Sequence, residues 1–480
     1  MSTINALKPS ERMKIPRQAS LEQDSAERAR NFREVSFGLD EERALTEATR
    51  CLECKDPICT SGCPVSIDIK AFIQSMLVKD YAGAVRKIRE ANYLPAICGR
   101  VCPQEEQCEA VCTLGRKHAP VAIGKLERFV ADFETENNLF QVPMVERRRT
   151  VKVAVVGSGP SGLTCAAELA KLGYQVCIFE ALHAVGGVLR YGIPEFRLPR
   201  RILDQETERI KALGVTIYTN FLVGRTATID ELFDEWEFEA VFLGTGAGTP
   251  HFLGIPGEQF SGVYSANEFL TRVNLMGADR FPDFDTPIRI GRNVAVIGGG
   301  NTAMDAVRTS KRLGAEHAYL VYRRSEVEMP ARREEVHHAK EEGIEFLMLT
   351  NPIRILADEK NWVHGMQCQR MELGEPDESG RRKPVAVPGS EFILNVETVI
   401  EAIGQQPNPI IQSTTPGLKT GGKGVVVIDE RQQTSRPGIF AGGDLSRGGA
   451  TVILAMRDGK VAASAIHKYL TEKKAVPASV

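Results

Sequence analysis

The chain has 480 residues and a formal net charge of −2. At about 100–200 residues per domain, this length predicts two to four domains. The near-neutral charge argues against a nucleic-acid-binding protein that works by phosphate neutralisation. The sequence shows no amino-terminal secretion signal and no apolar run approaching about 18 residues. We therefore expect a cytoplasmic protein without a membrane span.

Cysteine is concentrated in one part of the chain. Eight of the 11 cysteines lie between residues 51 and 112, and the scattered ones are Cys165, Cys177 and Cys368. The clustered thiols form a first group of Cys51, Cys54, Cys59 and Cys63, and a second of Cys98, Cys102, Cys108 and Cys112. In a cytosolic chain such a cluster indicates metal or redox chemistry rather than disulfides.

Two sets of four thiols match two [4Fe–4S] clusters. Proline follows Cys63 and Cys102, and a Cys-Pro ending is typical of ferredoxin-like sites whose fourth thiolate crosses to the other cluster. Zinc is the competing interpretation, because Cys₄ zinc sites use similar pairs. The redox cofactor sites predicted further along the chain favour iron–sulfur.

A buried parallel strand is predicted at residues 151–156, and a G-x-G-x-x-G turn follows it. Its predicted cofactor contacts are Gly157, Gly159, Pro160, Ser161, Gly162 and, at the end of the next strand, Glu180. The glycines allow a tight turn and close approach of a pyrophosphate at the helix amino terminus, and the carboxylate can accept from ribose hydroxyls. An ordinary glycine turn is the alternative, which the adjoining strand, helix and acid argue against.

Together with the first glycine turn, further residues resemble the FAD domain of the two-dinucleotide-domain flavoproteins, and the resemblance implies an FAD site. They are Gly187 and Arg190 after the first motif, and Gly443, Asp444, Ala450 and Thr451 near the carboxyl end. The aspartate can accept from a ribitol hydroxyl, and the helix that follows can stabilise negative charge on a reduced flavin. The alternative for Asp444 is an ordinary helix cap. We assign no catalytic side chain, because flavin and nicotinamide carry the chemistry themselves.

A second strand and G-x-G-x-x-A turn indicate a nicotinamide nucleotide site. Its predicted contacts are Gly298, Gly300, Asn301, Thr302 and Ala303, with Arg323 and Arg324 at the end of the next strand. Guanidinium groups bind a 2′-phosphate bidentately, where a carboxylate would repel it. The sequence therefore predicts NADP(H) rather than NAD(H), unless these arginines only solvate a strand end.

The motifs set the expected domain boundaries. Residues 1–148 are the predicted α-helical domain with two [4Fe–4S] clusters, and the charged stretch 146–150 is its linker. Residues 149–285 and 405–480 are a discontinuous FAD-binding domain, and the NADPH-binding domain, 286–404, is inserted into it. We therefore expect an α/β fold with two Rossmann-like domains, one inserted in the other, preceded by an α-helical iron–sulfur domain.

The whole chain resembles a known family. The residues from Cys51 to Arg128, including 98–103 and 121–128, look like the glutamate synthase small-chain family. That family also includes the large subunit of NADH-dependent ferredoxin:NADP oxidoreductase and the amino-terminal half of dihydropyrimidine dehydrogenase. The resemblance implies one cluster held by Cys51, Cys54, Cys59 and Glu127, with Cys98 the alternative fourth ligand, and another held by Cys63, Cys102, Cys108 and Cys112.

The resemblance also implies a partner, since nothing in the chain supplies chemistry on a terminal substrate. Our first interpretation is the NADPH-binding subunit of an electron-bifurcating NADH-dependent ferredoxin:NADP oxidoreductase, beside a smaller NAD- and FAD-binding subunit and ferredoxin. The segment 57–65 is slightly nearer that group. The alternative is a glutamate synthase small chain that passes electrons to the large chain. A structural or sensory flavoprotein without turnover is a third interpretation.

Overall fold

The computed structural model describes residues 7–145, 148–378 and 380–475. Two residues of the predicted linker, Glu146 and Arg147, lie outside the described residues. Among the helices in those ranges, none is long and apolar enough to cross a lipid bilayer.

The amino-terminal region is a bundle of short helices with one small antiparallel strand pair. Its elements are α1 (Pro9–Arg12), β1 (Leu21–Glu22), α2 (Ser25–Arg28), β2 (Ser36–Gly38), α3 (Glu41–Thr49), α4 (Ile58–Gly62), α5 (Ile69–Leu77), α6 (Tyr81–Arg89), α7 (Pro95–Val101) and α8 (Ile123–Glu136). Aspartates cap four of the helices: Asp24, Asp40, Asp68 and Asp80 each accept a hydrogen bond from a backbone N–H three residues on. The amphipathic faces of α5, α6 and α8 bury side chains such as Phe72, Met76 and Leu126.

The next segment begins a parallel sheet. Its elements are β3 (Lys152–Val156), α9 (Pro160–Lys171), β4 (Gln175–Phe179), α10 (Val188–Tyr191), α11 (Arg200–Ala212), β5 (Thr216–Tyr218), α12 (Ile229–Asp234) and β6 (Phe238–Leu243). The strands β3, β4 and β6 are nearly continuous apolar runs, because helices cover both faces of a parallel sheet.

A second sheet system follows. Its elements are β7 (Thr249–Pro250), β8 (Val263–Ser265), α13 (Ala266–Asn274), β9 (Asn293–Ile297), α14 (Asn301–Arg312), β10 (His317–Tyr322), α15 (Arg333–Glu341), β11 (Glu345–Met348), β12 (Thr350–Ala357), β13 (Val363–Pro376), β14 (Arg382–Ala386), β15 (Phe392–Leu394), β16 (Thr398–Glu401), β17 (Gln405–Gln406) and α16 (Ile410–Thr414). Parallel strands run in the order β11-β10-β9-β16-β8, and β12 to β15 form an antiparallel sheet beside them.

The chain then returns to the first sheet through β18 (Ile439–Ala441), α17 (Asp444–Arg447) and α18 (Val452–Ala475). The first sheet has the order β18-β6-β3-β4-β5, with β18 parallel to β6. The two crossings between the sheets, β7 and β17, pair antiparallel with each other. Two parallel sheets with helices on both faces confirm the expected α/β class.

One strand lies on the other side of the expected boundary. The expected FAD-binding segment ran to residue 285, but β8 pairs with β16 in the second sheet. A strand of three residues, flanked by a glycine and a helix, carries too weak a pattern to identify its sheet. The two strands approach closely beside this pairing, since a Cβ at Gly262 would lie 3.0 Å from the Glu397 carbonyl oxygen.

Buried ion pairs join the three regions. Arg308 on α14 is fully buried and binds Glu342 at 2.7 Å and Glu335. Glu342 also lies 3.3 Å from Arg28 of the amino-terminal region. Arg197, from the first sheet's region, binds Asp305 on α14 at 2.7 Å. Since a buried charge without its partner is strongly destabilising, this network fixes how the regions dock.

Arg332 makes a second bridge between regions. Its side chain donates to the Arg100 carbonyl oxygen at 2.6 Å and to Gln104 Oε1 at 3.0 Å, both in the amino-terminal region. Its backbone N–H donates to Asn301 Oδ1 at 2.8 Å. One residue therefore contacts both the second glycine turn and the segment around Cys102.

Close packing of α18 on α9 generates a first prediction. A Cβ at Gly459 would lie 2.2 Å from the Ser161 carbonyl oxygen. Alanine usually stabilises a helix by about 0.5–1 kcal/mol relative to glycine. Here we expect Gly459→Ala to lower the free energy of unfolding by about 1–3 kcal/mol through overpacking.

The matched control is Gly422→Ala, which has open space around it and should change stability by less than about 0.5 kcal/mol. Equal effects of the two changes in chemical denaturation would contradict the packing argument.

Glu401 generates a pH prediction. It ends β16, is 2% exposed, and accepts from the Leu253 N–H at 3.3 Å. Burial and the neighbouring Glu258 carboxyl raise the pKa of Glu401 to about 7. The folded protein thus keeps a proton that the unfolded chain releases near pH 4.3, so this group's contribution to stability falls as the pH rises to about 7.

We expect Glu401→Gln to remove this loss of stability with rising pH. The variant should gain at most roughly 4 kcal/mol of unfolding free energy over the unmodified protein at pH 8, and little at pH 4. The exposed Glu375→Gln is the control and should leave the pH profile of the melting temperature unchanged. A Glu401→Gln profile parallel to that of the control would show that the carboxyl is ionised in the folded protein.

Candidate functional site

A cavity of about 920 Å³ lies between the two parallel sheets. Both glycine turns, the two crossings and residues 444–455 line it. It lies at the carboxyl ends of the strands, where open α/β sheets bind their ligands. Its walls also include Val101 and Pro103, the neighbours of Cys102. The cavity therefore reaches all three regions of the chain.

The first glycine turn has the geometry of a dinucleotide cradle. Gly157 has φ +99°, and a Cβ there would lie 2.5 Å from the Gly244 carbonyl oxygen. A Cβ at Gly162 would lie 2.0 Å from the Gly157 carbonyl oxygen, so the helix packs against the turn. Gly159 has open space around it on the cavity side. Two glycines therefore shape the turn, and the third leaves room for a phosphate at the amino end of α9.

Glu180 lines the cavity, and both of its carboxylate oxygens accept hydrogen bonds from neighbouring residues. Its Oε2 accepts from the backbone N–H of Ser158 at 3.0 Å and from the Ser158 hydroxyl, and its Oε1 accepts from the Leu182 N–H at 2.8 Å. The Ser158 hydroxyl oxygen accepts in turn from the Gly186 N–H at 2.9 Å. Glu180 thus orders the turn, and each oxygen retains lone-pair capacity for a ribose hydroxyl.

The remaining residues predicted for FAD divide into two groups. Gly187, Pro160, Ser161, Asp444, Ala450 and Thr451 line the cavity. Gly443 and Arg190 do not line it. The Arg190 guanidinium pairs with Asp204 and donates to the Val185 carbonyl oxygen at 2.8 Å. The prediction for Arg190 therefore differs from the structure, because a neighbouring carboxylate on α11 binds the side chain and turns it aside.

Asp444 lies at the amino end of α17 and accepts from the Ala450 N–H at 3.2 Å. Burial, with the nearby Asp458 charge, raises the pKa of Asp444 to about 6. Asp458 is buried on α18, where it accepts from the Gly443 N–H at 2.9 Å and from Arg447 Nε at 2.7 Å. Sequence reasoning missed Asp458, because an aspartate inside a long helix has no distinctive local pattern.

Tyr191 is another cavity residue that the sequence did not single out. Burial and the neighbouring Asp444 and Glu180 carboxylates raise the pKa of the Tyr191 hydroxyl to about 12. Its phenol therefore stays neutral over the physiological range. It can donate a hydrogen bond to a ligand in this part of the cavity.

The second glycine turn repeats the cradle on the opposite wall. Gly298 has φ +143°, and a Cβ there would lie 2.4 Å from the Ala402 carbonyl oxygen. Gly300, Asn301 and Thr302 line the cavity, whereas Ala303 is fully buried against the sheet. The alanine thus serves helix packing, as expected of the last position in a G-x-G-x-x-A turn.

The two arginines predicted for the 2′-phosphate differ in their surroundings. Both line the cavity. Arg323 is exposed, whereas Arg324 is buried and binds Asp377 at 2.7 Å. Arg381, on the connection between β13 and β14, lines the same wall and was not predicted. One end of the cavity is therefore positively charged. Of the two predicted arginines there, Arg323 is the more accessible.

The clustered thiols form two groups, and the first includes Cys112. The Cys112 thiol interacts electrostatically with the thiols of Cys51 and Cys59. Cys54 Sγ lies 3.5 Å from the hydroxyl oxygen of Thr113, the residue next to Cys112. Four sulfurs thus gather from the start and the end of the cysteine region.

The second group includes Glu127. The Glu127 carboxyl interacts electrostatically with the thiols of Cys63, Cys102 and Cys108. Gly62, beside Cys63, packs so closely that a Cβ would lie 3.2 Å from the Cys108 Cα. The expected ligand sets therefore differ from the structure: Cys112 and Glu127 exchange places. Cys108 and Cys112 thus belong to different groups although only three residues lie between them.

The donor set suits iron–sulfur clusters. Burial raises the pKa of the thiols of Cys51 and Cys63 to about 11 and of Cys59 to about 12. Burial also raises the pKa of Glu127 to about 8, and the hydrogen bond from Asn92 opposes that rise. Grouped buried donors of this kind are costly by themselves, and bound iron stabilises their deprotonated forms. The residues present therefore fit the clusters that the sequence predicts.

Cys98 is buried beside the second group, where its thiol hydrogen-bonds with the Cys102 thiol, and it also contacts the carboxyl-terminal helix. Its sulfur lies 3.4 Å from Met456 Sδ on α18 and 3.8 Å from Asn92 Oδ1. Asn92 also donates to Glu127 Oε1 at 2.7 Å. Both candidates for a fourth ligand, Glu127 and Cys98, thus lie beside the same amide.

Comparison with known proteins matches the chain to two families. Residues 28–139 match the family described as dihydropyrimidine dehydrogenase domain II, 4Fe-4S cluster. Residues 151–459 match the family described as pyridine nucleotide-disulphide oxidoreductase. Among solved structures, FprA from Mycobacterium tuberculosis in complex with NADPH has a TM-score of 0.57 at 22% identity. The aligned part covers 68% of this chain and 86% of FprA, which supports the two-Rossmann-domain fold.

Several curated relatives are much closer in sequence. The chain is 41% identical to the NADP(+)-dependent formate dehydrogenase subunit beta of Moorella thermoacetica. The alignment covers 87% of this chain but only 60% of that subunit. It is 37% identical to the NADPH-Fe(3+) oxidoreductase subunit beta of Geobacter sulfurreducens, and spans 64% of it. It is 36% identical to the glutamate synthase [NADPH] small chain of Escherichia coli, over 92% of this chain and 94% of that one. The chain therefore belongs to the glutamate synthase small-chain family of NADPH-dependent flavin and iron–sulfur oxidoreductases.

Proposed function

We propose that the chain is the NADPH-binding electron-transfer subunit of a larger complex. It exchanges a hydride between NADPH and FAD, and single electrons pass through two [4Fe–4S] clusters to or from a partner. One observation carries the proposal: a single cavity is lined by both glycine turns and by the neighbours of Cys102. Groups bound at these three places share one enclosed space.

The first cradle would hold FAD. Gly157, Gly159 and Ser161 surround the place for the pyrophosphate, Glu180 faces the ribose, and Asp444 lies at the far end of the cavity. When bound, FAD supplies hydride exchange with a nicotinamide and one-electron exchange with iron–sulfur clusters. The side chains supply position and electrostatics, and the amino end of α18 favours negative charge beside it.

The second cradle would hold NADP(H). The turn at Gly298 and Gly300 opens toward the cavity at the amino end of α14, where backbone N–H groups attract a pyrophosphate. Arg323 and Arg324 supply positive charge for the 2′-phosphate. The ion pair between Arg324 and Asp377 fixes the buried guanidinium and leaves Arg323 as the more adaptable ligand.

The two groups of donors would each hold one cluster. The first set is Cys51, Cys54, Cys59 and Cys112, and the second is Cys63, Cys102, Cys108 and Glu127. The second set lies nearer the cavity, because the neighbours of Cys102 form part of its wall. Electrons would therefore reach the second cluster before the first on their way from the flavin.

Two partners are candidates. The segment 57–65 is slightly nearer the bifurcating NADH-dependent ferredoxin:NADP oxidoreductases, whose large subunit works beside a smaller NAD- and FAD-binding subunit. The alignment with two glutamate synthase small chains, at 36% and 35% identity over 94% and 97% of those chains, supports the alternative, delivery of electrons to a large chain that forms glutamate.

The test begins with the purified chain. We expect one FAD and about eight irons per chain, and steady reduction of a viologen by NADPH. Purification of the complex from its own cells then identifies the partner: NAD-dependent ferredoxin reduction supports the bifurcating assignment, and glutamate formation from glutamine and 2-oxoglutarate supports the other. A chain with bound zinc and no NADPH-dependent reduction would refute the proposed function.

Removal of the phosphate-binding charges should change nucleotide preference. We expect Arg323→Ala and Arg324→Ala, alone and together, to raise KM for NADPH far more than KM for NADH, by about tenfold or more for each change and about a hundredfold or more for the pair, since charged hydrogen bonds contribute about 1.5–3 kcal/mol each. The exposed Arg431→Ala, remote from the cavity lining, is the control. Equal losses with both nucleotides would contradict a 2′-phosphate site at this end.

Serine substitutions should separate the two ligand sets. We expect Cys112→Ser to alter the same electron paramagnetic resonance signal as Cys54→Ser, and Cys108→Ser to alter the other signal together with Glu127→Ala. The buried Cys368→Ser, in the antiparallel sheet, controls for the loss of a thiol. If Cys112→Ser and Cys108→Ser perturbed one and the same signal, the proposed sets would be wrong.

A further inference from the structure

Asn92 connects the two candidates for a fourth cluster ligand. It lies between α6 and α7 and is 0% exposed. Its Nδ2 donates to Glu127 Oε1 at 2.7 Å. Its Oδ1 accepts from the Leu94 N–H at 2.8 Å and from the Cys98 thiol at 3.8 Å. One buried amide therefore binds a carboxylate with one end and a thiol with the other.

We propose that Asn92 is a positioning residue that makes Glu127, rather than Cys98, the fourth ligand of the cluster near the cavity. The inference rests on the proposed function, because it presumes that a cluster is bound by Cys63, Cys102 and Cys108. It adds a residue outside the ligand sets and a role that the cysteine pattern does not contain.

The orientation of the amide is fixed by its backbone partner. Because the Leu94 N–H is a donor, it must face Oδ1, and the NH₂ group must then face Glu127. The hydrogen bond occupies one oxygen of the carboxylate and holds the group in a single orientation. The other oxygen remains able to bind iron.

The same amide keeps Cys98 out of the ligand set. The Cys98 S–H donates to Oδ1, and Met456 Sδ lies 3.4 Å away on α18. Met456 also belongs to the helix that lines the flavin end of the cavity, so Cys98 is held from both sides.

A simpler role for Asn92 is to cap the turn before α7 through the Leu94 N–H. Asn92→Asp separates the two roles at a pH where its carboxyl is ionised, since the carboxylate still accepts from Leu94 but cannot donate to Glu127. Asn92→Leu has a similar volume and removes both functions. Each variant is made with and without Cys98→Ser, and the exposed Asn137→Leu at the end of α8 is the matched control.

The measurements use the full chain with its clusters and do not require turnover. They are iron content, the electron paramagnetic resonance spectrum of the reduced protein, and the midpoint potential of each cluster. Cys98→Ser alone should leave signals and potentials unchanged. In Asn92→Leu we expect Cys98 to replace Glu127, with at least a tenfold change in the ratio of reduced to oxidised cluster at a fixed potential, which is about 59 mV for one electron.

Adding Cys98→Ser to Asn92→Leu should abolish that new signal, because the replacement ligand is gone. Asn92→Asp should retain both clusters and lower the potential of the near one, since a negative group replaces a donor beside the carboxylate. If Asn92→Leu does not fold, Asn92→Asp carries the test.

Wild-type potentials in both Asn92 variants, or an altered cluster in Cys98→Ser alone, would overturn the inference. A wild-type chain with fewer than two clusters would instead refute the proposed function.

Discussion

The structure depends on charges that are buried between its regions. Arg308, Glu335 and Glu342 are nearly inaccessible, and they meet Arg197 from one domain and Arg28 from another. The opposing guanidinium groups hold the pKa of Glu342 at about 2 despite its burial. Apolar side chains of similar volume could give equal or greater stability, but an ion pair is satisfied in only one docking geometry. A protein that moves electrons between separately bound groups requires such a fixed geometry.

The cofactor cavity follows from that docking. Neither parallel sheet encloses a site alone, because each glycine turn opens at the carboxyl edge of its own sheet. The two crossings, β7 and β17, bring those edges face to face. The loop around Cys102 then closes one wall. The same arrangement makes the site sensitive to distant changes, since a shift at the ion pairs would move one wall against another.

Local patterns in the sequence predicted the parts of the site that are made locally. Gly157, Gly298 and Glu180 lie where a strand–turn–helix unit must place them, because backbone sterics determine these positions. The grouping of the thiols was not predictable in this way. Whether Cys112 or Glu127 completes a set depends on how residues 104–112 cross the bundle, and no spacing rule encodes that path. Arg190 and Asp458 are similar cases, since their roles depend on Asp204 and on a backbone N–H brought close by tertiary packing.

The bridge made by Arg332 has a consequence for how this chain can diversify. One residue contacts the second glycine turn through its backbone and the cysteine loop through its side chain. Its partners on the cysteine side are the Arg100 carbonyl oxygen, the Gln104 side-chain amide and the Glu105 carboxylate, so the contact depends on side-chain identity as well as on backbone position. The NADPH-binding region and the cysteine-rich region are therefore joined by specific contacts and cannot be exchanged independently. In related proteins, exchange of either region alone would have to preserve this junction, and new partners are more readily added at the ends of the chain than between its domains.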